Sequence, residues 1–171
     1  MKTALMATAA CALLAACSTT PQTKPEAAAA PKAAATPSPV AAGETEAQRL
    51  GRIAAALADK SIYFDYDNFA VKSQYQDLVK QDAGQFQSAP QLALRLEGNA
   101  DERGSTEYNL ALGQKRAEAV RRALAVLGVP DARMEAVSYG KERPRAQCHE
   151  EKCWAENRRV DLVARKADAA K

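Results

Sequence analysis

The chain has 171 residues, a formal net charge of +3 and an apolar fraction of 47%. Much of that apolar fraction is alanine in the first third of the chain, so a packed core must come from the remainder, and the length suits one domain with additional segments. Aromatic residues make up only 5% and the charges are mixed in sign. The sequence therefore lacks the basic stripe with interleaved aromatic side chains that nucleic-acid binding requires.

The first residues predict a secretory signal peptide. Residues 1–16 combine a short basic start with an apolar run that is too short to span a membrane. The alternative, an N-terminal helix of the folded domain, is disfavoured because the run has no polar face. The run ends in Leu14-Ala-Ala-Cys17, which resembles the bacterial lipobox. This resemblance implies cleavage after residue 16, lipid attachment at Cys17 and, because Ser18 rather than Asp follows, an outer-membrane anchor with the domain in the periplasm.

The segment after Cys17 predicts a flexible linker over residues 17–44. It consists largely of Ser, Thr, Pro, Ala and Lys, and its prolines rule out a continuous helix. We therefore expect a disordered tether. A Pro-rich chain of this length would extend to about 80 Å, at roughly 3.1 Å per residue, so the domain could lie well away from the membrane.

Residues 45–167 predict a single domain, followed by a polar tail at 168–171. A capping box, Thr45 to Gln48, predicts the start of a first helix. After it, the sequence predicts a strand that runs into a polar turn over 61–67, a helix at 71–86, a strand at 91–97, a helix at 105–127, and strands at 133–139 and 158–165. The order β-α-β-α-β-β predicts an α/β fold, a two-layer α+β sandwich with the helices packed on one face of a small mixed sheet.

The stretch from Gly98 to Leu124 carries two residues that need an explanation. Asp101 lies in a polar loop after a strand, and Arg116 borders the predicted buried stripe of the next helix. A guanidinium at a packed edge needs an anionic partner, which could be Asp101, another acid of the chain or a ligand. Taken singly, Asp101 also suits an Asx turn and Arg116 a helix-edge salt bridge. The predicted stripe consists of Leu110, Gly113, Ala117, Val120, Leu124 and Leu127.

Two cysteines remain once Cys11, in the signal peptide, and Cys17 are set aside. In an exported protein disulfides persist, so a bond between Cys148 and Cys153 is the favoured prediction. The alternative is a metal site that adds His149. It offers only three ligands within one short loop and lacks the paired spacing of structural zinc, so we predict neither a metal nor a cofactor.

Several segments between about residues 60 and 165 resemble the OmpA-like C-terminal domain family. The resemblance implies non-covalent binding of peptidoglycan through the diaminopimelate of the stem peptide. In that family an Asp and an Arg fifteen positions apart bind this residue, and here the pattern falls on Asp101 and Arg116. An Asp can accept the ligand's ammonium, and an Arg can donate two parallel hydrogen bonds to its carboxylate. The segments are Tyr63-Phe-Asp-Tyr-Asp67, Gly98-Asn-Ala-Asp-Glu-Arg-Gly104, Glu107-Tyr-Asn109, Arg116-Ala117, Ser138-Tyr-Gly-Lys141 and Asn157-Arg-Arg-Val160.

The same resemblance implies further site residues and a partner. Many members of the family have His where this chain has Asn99, and because Asn can also donate and accept hydrogen bonds, binding is expected to survive. The resemblance further implies the Tol-Pal system of envelope integrity and cell division, with a TolB-like propeller protein as partner. The additional peptidoglycan-binding residues that it implies are Phe64, Asp65, Asn99, Asn109, Leu112 and Arg158.

Two other functions compete with this interpretation. One is a wall-binding lipoprotein of the same family outside the Tol-Pal system. The other is a cell-wall hydrolase, for which Asp65, Asp101 and Glu102 would supply paired carboxylates. The hydrolase is disfavoured because the only His lies in the cysteine loop and no Ser or Cys nucleophile is matched to it. We therefore predict a binding module rather than an enzyme.

Overall fold

A computed structural model describes residues 43–167. The predicted signal peptide, the lipidation site Cys17, the linker up to residue 42 and the tail at 168–171 lie outside the described residues. Among the helices of residues 43–167, none is long and apolar enough to cross a membrane.

Within residues 43–167 the chain forms four helices, four strands and two short 3-10 turns, at Ser73–Tyr75 and Asp131–Arg133. The helices are α1 (Glu46–Ala58), α2 (Gln76–Gln87), α3 (Thr106–Val126) and α4 (Glu151–Asn157). The strands are β1 (Ser61–Tyr63), β2 (Leu92–Asn99), β3 (Met134–Gly140) and β4 (Arg159–Lys166).

The four strands form one mixed sheet in the order β1-β4-β2-β3. β4 pairs antiparallel with both β1 and β2, whereas β2 and β3 are parallel. A parallel pair needs a long crossover connection, and α3 provides it. The predicted mixed sheet is thus confirmed.

The apolar core lies between the helices and one face of the sheet. On β2, the buried residues Leu92, Leu94 and Leu96 alternate with half-buried residues that face the other way. The same core contains Ile62, Val160 and Leu162 from the sheet, and Ile53, Leu57, Val79, Ala83, Phe86, Ala117, Val120 and Leu124 from the helices. This arrangement confirms the predicted two-layer fold.

The first strand, β1, ends at Tyr63, and the polar turn predicted after it includes Asp67, whose backbone is left-handed (φ 50°). Two details of the prediction are wrong. The predicted loop between the last two strands contains α4, whose seven residues are too few to show a helical period. Leu110 is 49% exposed, and the buried stripe of α3 instead consists of Asn109, Leu112, Gly113, Arg116, Ala117, Val120 and Leu124.

A close contact between two glycines fixes the crossing of β2 and α3. A Cβ atom at Gly98 would lie 1.9 Å from the carbonyl oxygen of Gly113, and one at Gly113 would lie 2.3 Å from Oγ of Ser138. Neither position therefore has room for a side chain. Asp101 follows Gly98 by three residues and Arg116 follows Gly113 by three. The crossing thus sets the separation of the loop and the helix that carry them.

The start of α3 is also fixed by its sequence. Ser105 is the N-cap, and its hydroxyl accepts a hydrogen bond of 3.1 Å from the backbone N–H of Tyr108. Gly104, the preceding residue, has a φ of 91° that suits glycine. The loop that begins at Asp101 therefore turns sharply into the helix.

Asp82, on α2, is a buried acid whose ionisation opposes folding. Its side chain is 1% exposed, the nearest cation is Nζ of Lys60 at 4.0 Å, and neither carboxylate oxygen has a hydrogen-bond partner among the described residues. Burial raises the pKa of Asp82 to about 6, although Lys60 partly offsets the effect. Between pH 3.8, the unfolded value, and about 6, the folded state binds more protons than the unfolded state, so this group lowers stability as the pH rises.

We therefore expect Asp82→Asn to increase the free energy of unfolding at pH 7.5 by up to about 3 kcal/mol, since it removes a buried charge. At pH 3.5, where Asp82 is protonated in the folded state and mostly protonated in the unfolded state, the variant and the wild type should differ little. Urea unfolding at the two pH values measures this. Asp77→Asn, an exposed acid of the same helix, is the control, and a loss of stability at pH 7.5 in Asp82→Asn would contradict the prediction.

Candidate ligand-binding site

A small cavity of about 90 Å³ lies where the β1–α2 loop, the β2–α3 loop and α3 meet. Four of its lining residues were predicted to bind a ligand: Asp101, Asn109, Leu112 and Arg116. Five others were not predicted: Tyr66, Asp67, Arg103, Gly104 and Tyr108. The fold thus brings the proposed Asp–Arg pair to one cavity.

Arg116 is fully buried, and its hydrogen bonds within the described chain go to backbone carbonyls. Nε donates to Asn68 O (2.8 Å), Nη1 to Asn99 O (3.0 Å) and Nη2 to Asp65 O (3.0 Å). A guanidinium has five N–H groups, so these bonds leave one on each terminal nitrogen. Burial lowers the pKa of Arg116 to about 10, while the charge of Asp101 partly offsets that effect, so the side chain is cationic at neutral pH.

Asp101 is buried and forms an Asx turn. Its Oδ1 accepts from the backbone N–H of Arg103 (3.1 Å), and its Oδ2 accepts from Nη2 of Arg103 (2.6 Å) and Nη1 of Arg158 (3.3 Å). Burial by itself would raise the pKa of Asp101, but the hydrogen bonds and charge of Arg103, with the bond from Arg158, outweigh it and hold that pKa below its usual range. Asp101 is therefore a carboxylate at neutral pH.

The side chain of Arg103 lies between two aromatic rings. Its Cζ is 4.0 Å from the ring centroid of Tyr66 and 4.1 Å from that of Trp154. Such stacking suits the flat guanidinium and attracts its positive charge. Tyr66 is 61% exposed, so this ring forms part of the rim of the cavity.

The side chain of Arg158, which was predicted as a site residue, has more hydrogen bonds than that of Arg103. Its Nε donates to the carbonyl oxygen of Phe64 (3.1 Å), and its Nη2 pairs with the carboxylate of Glu151. The side chain is 6% exposed and does not line the cavity. It contacts the cavity lining through its bond to Asp101, and its charge also lowers the pKa of Arg116.

Asn109 and Leu112, both predicted, line the cavity from α3. Nδ2 of Asn109 donates to the backbone oxygen of Arg103 (2.8 Å) and so ties the β2–α3 loop to the helix. Leu112 is buried and supplies an apolar wall.

Besides Arg158, three predicted site residues lie outside the cavity lining. Phe64 is in the core, with its ring centroid 5.3 Å from Cζ of Arg116. Asp65 is exposed and pairs with Lys72 at 2.5 Å. Asn99 is buried, and its side chain donates to the carbonyl oxygen of Glu97 (3.0 Å). The backbone oxygens of Asp65 and Asn99 nevertheless hold Arg116 in place.

Asp67 is a lining residue that sequence reasoning missed. Its carboxylate accepts a hydrogen bond from the hydroxyl of Tyr108, another lining residue. The sequence signal is the pair Asp67-Asn68 directly after a strand, because Asp and Asn adopt the left-handed conformation more readily than other residues with side chains. A second acid is thereby added to the cavity.

Cys148 and Cys153 are joined by a disulfide, as predicted, with a Cα–Cα distance of 5.6 Å. Both sulfurs are thus used, and the described residues include no cluster of three His, Cys, Asp or Glu side chains that could hold a metal ion. Nδ1 of His149 instead lies 2.7 Å from a carboxylate oxygen of Glu102.

The carboxylates considered for a hydrolase do not suit general acid catalysis, which needs a raised pKa. The pKa of Asp101 lies below its usual range. Hydrogen bonds from Trp154 and His149 lower the pKa of Glu102 as well. Asp65 is exposed beside Lys72. Neither Asp101 nor Glu102 is thus a carboxylic acid kept neutral by an apolar pocket.

The family model described as the OmpA family matches residues 63–159, more than half of the chain. The chain belongs to the OmpA family. The match covers the β1–α2 loop, the β2–α3 loop and α3, which together form the cavity. The resemblance inferred from the sequence motifs is thereby confirmed.

Curated relatives and a solved structure agree with this assignment. The chain is 48% identical over 102 residues to the peptidoglycan-associated lipoprotein of Brucella melitensis biotype 1, covering 60% of this chain and 61% of that protein. It is 47% identical over 109 residues to the peptidoglycan-associated lipoprotein of Pseudomonas aeruginosa, covering 64% of each. It thus spans less than two thirds of the length of these relatives. The crystal structure of the peptidoglycan-associated lipoprotein from Burkholderia pseudomallei is 60% identical, with a TM-score of 0.61 over 62% of this chain and 90% of that chain.

The bonds of Arg116 predict a structural role in addition to any role in binding. Arg116→Lys keeps the charge but can satisfy fewer of the three carbonyls that the buried guanidinium binds, so we expect the free energy of unfolding to fall by about 2–4 kcal/mol. Urea unfolding measures this, with Arg122→Lys on the exposed face of α3 as the matched control. Equal stability of Arg116→Lys and wild type would show that the carbonyl bonds are dispensable.

Proposed function

We propose that this protein is an outer-membrane lipoprotein that binds peptidoglycan non-covalently through the diaminopimelate of the stem peptide and so tethers the outer membrane to the cell wall. One observation carries the proposal: Asp101 and Arg116, fifteen positions apart as the family resemblance implies, line the same cavity. The name of the relatives, peptidoglycan-associated lipoprotein, agrees with it.

The charges of the cavity match those of the proposed ligand. Diaminopimelate carries an ammonium and a carboxylate on one carbon atom. The two N–H groups that Arg116 has left are the number that a carboxylate needs for two parallel hydrogen bonds. Asp101, ionised at neutral pH, supplies an acceptor for the ammonium, and Asp67 places a second carboxylate at the same cavity.

The size of the cavity suggests how much of the ligand it holds. At about 90 Å³ it has room for the charged end of one amino acid rather than for a whole stem peptide. The remainder of the stem peptide would extend out of the cavity past Tyr66 and Tyr108, which are 61% and 48% exposed. Leu112 would contact the methylene chain next to the charged end.

The rest of the chain would allow this site to reach the cell wall. In this proposal a lipid at Cys17 anchors the protein, residues 18–44 form the tether, and the domain binds in the periplasm without enzymatic activity. We further propose that the protein acts in the Tol-Pal system with a TolB-like partner. The alternative is a lipoprotein of the same family outside that system, and it would be favoured if the full-length protein retained wall binding but failed to retain a TolB-like protein in a pull-down.

Asp101→Asn is the sharpest test of the site, because Asn can keep the Asx turn while the negative charge is lost. We expect the affinity for diaminopimelate-containing peptidoglycan to fall about ten- to a hundredfold, as for the loss of a charge-assisted hydrogen bond. Co-sedimentation of the full-length protein in detergent with purified peptidoglycan measures it. Unfolding curves in urea establish that the variant remains folded.

Two controls accompany this measurement. Asp77→Asn makes the same chemical change at an exposed position of α2 that does not line the cavity, and it should bind like wild type. Peptidoglycan with lysine in place of diaminopimelate lacks the amino-acid centre at the end of the side chain and should bind weakly to every variant. If Asp101→Asn sediments with the diaminopimelate wall as wild type does, the proposed site is wrong.

A further inference from the structure

We propose that Arg103 is a displaceable counter-ion of Asp101: it occupies the position on the Asp101 carboxylate that the ligand's ammonium must take, and the strength of this internal ion pair sets the affinity of the site. This inference rests on the proposed function, because it assumes a ligand with an ammonium group at Asp101. It adds to that function a residue that controls affinity without being required for the contact itself.

The carboxylate of Asp101 has little capacity left for a ligand. A carboxylate has about four lone-pair positions, and three of them already accept hydrogen bonds, two from Arg103 and one from Arg158. The residue is also only 4% exposed, so the position that is left has almost no open surface around it. An ammonium would therefore gain close access to this carboxylate when one of the present donors moves away.

The two arginine side chains differ in how easily they can move. Arg158 is 6% exposed and is also bound to the Phe64 carbonyl and to Glu151, so its departure would break three interactions in a buried place. The side chain of Arg103 is 30% exposed, and its bond to Asp101 is its only side-chain hydrogen bond among the described residues. Its Nε has no hydrogen-bond partner there. Arg103 is thus the donor that a ligand would displace.

A second acid is in place to receive the displaced guanidinium. Oε2 of Glu151 lies 3.8 Å from Nη2 of Arg103, and the Glu151 side chain is 63% exposed. The rings of Tyr66 and Trp154 lie over Arg103 at 4.0 and 4.1 Å. A guanidinium that moves between these rings from Asp101 toward Glu151 keeps most of its aromatic contact, so the displacement loses one ion pair and strengthens another.

The position of Arg103 also favours a ligand that carries both charges. With Arg103 on Asp101, the guanidinium groups of Arg103, Arg116 and Arg158 repel a simple cation. A ligand with a carboxylate on the same carbon can bind Arg116 first and bring its ammonium to Asp101 as Arg103 leaves. A dicarboxylate without an ammonium would bind Arg116 and leave Arg103 where it is.

The test compares two small ligands on the full-length protein in detergent by calorimetry. One is meso-diaminopimelate, and the other is pimelate, which has the same seven-carbon chain and both carboxylates but no ammonium. For Arg103→Gln we expect binding of meso-diaminopimelate to tighten about fivefold, the usual effect of removing a partly exposed competing ion pair, while binding of pimelate stays unchanged or weakens. Arg122→Gln, which makes the same charge change on the exposed face of α3, should leave both ligands at their wild-type affinity.

The outcomes separate this inference from the proposed function. Weaker or equal binding of meso-diaminopimelate by Arg103→Gln, with wild type binding it, would overturn the role of Arg103 alone. An equal gain for both ligands would overturn it too, because the gain would not depend on the ammonium. If neither folded protein binds meso-diaminopimelate, the proposed function fails and this inference fails with it.

A second measurement does not depend on the variant. In wild type, the side-chain Nε–H signal of Arg103 in a nitrogen-15 spectrum should shift as meso-diaminopimelate saturates the site, because the guanidinium leaves Asp101 for Glu151. Pimelate should leave the signal in place. An unmoved Arg103 signal in a protein that has bound meso-diaminopimelate would overturn the inference.

Discussion

The buried guanidinium of Arg116 joins the three parts of the chain that surround the cavity. Its hydrogen bonds reach the carbonyl oxygens of Asp65 and Asn68, in the β1–α2 loop, and of Asn99, at the end of β2. Without these bonds, three carbonyl groups would lose their donors in a place with little access for water. The desolvation of the charge is offset by the same bonds and by nearby Asp101. The residue proposed to bind the ligand is therefore also part of the structure that shapes the cavity.

Backbone contacts fix the positions of Asp101 and Arg116. Gly98 and Gly113 allow β2 and α3 to approach more closely than any side chain would permit. The Ser105 cap then fixes where α3 begins, and Asn109 binds the loop back to the helix. Because Asp101 and Arg116 each follow one of the two glycines by three residues, their separation depends on a contact between backbones. A site set on such rigid supports loses little conformational entropy when it binds a ligand.

The sequence predicted those parts of the molecule that depend on periodicity or on a continuous motif. The alternation along β2, the helical period of α3 and the Asp101–Arg116 spacing are all of this kind. It failed where polar residues replace apolar ones in a buried stripe, which is why Leu110 was placed inside in preference to Asn109. It also missed Asp67, whose position depends on a left-handed backbone, and the stacking of Arg103 between Tyr66 and Trp154, which come together only in the folded chain.

The balance of charge around Asp101 explains why the site should favour a zwitterion. Two guanidinium groups, those of Arg103 and Arg158, keep this carboxylate ionised although it is buried, and its charge in turn favours the cationic form of Arg116. Together the three arginines make the cavity unfavourable for a lone cation, since like charges at short range raise its energy. In the proposed complex, a ligand carboxylate on Arg116 would remove part of that repulsion before the ligand's ammonium reaches Asp101. The two charges of the ligand would then bind cooperatively, because they lie on the same carbon atom.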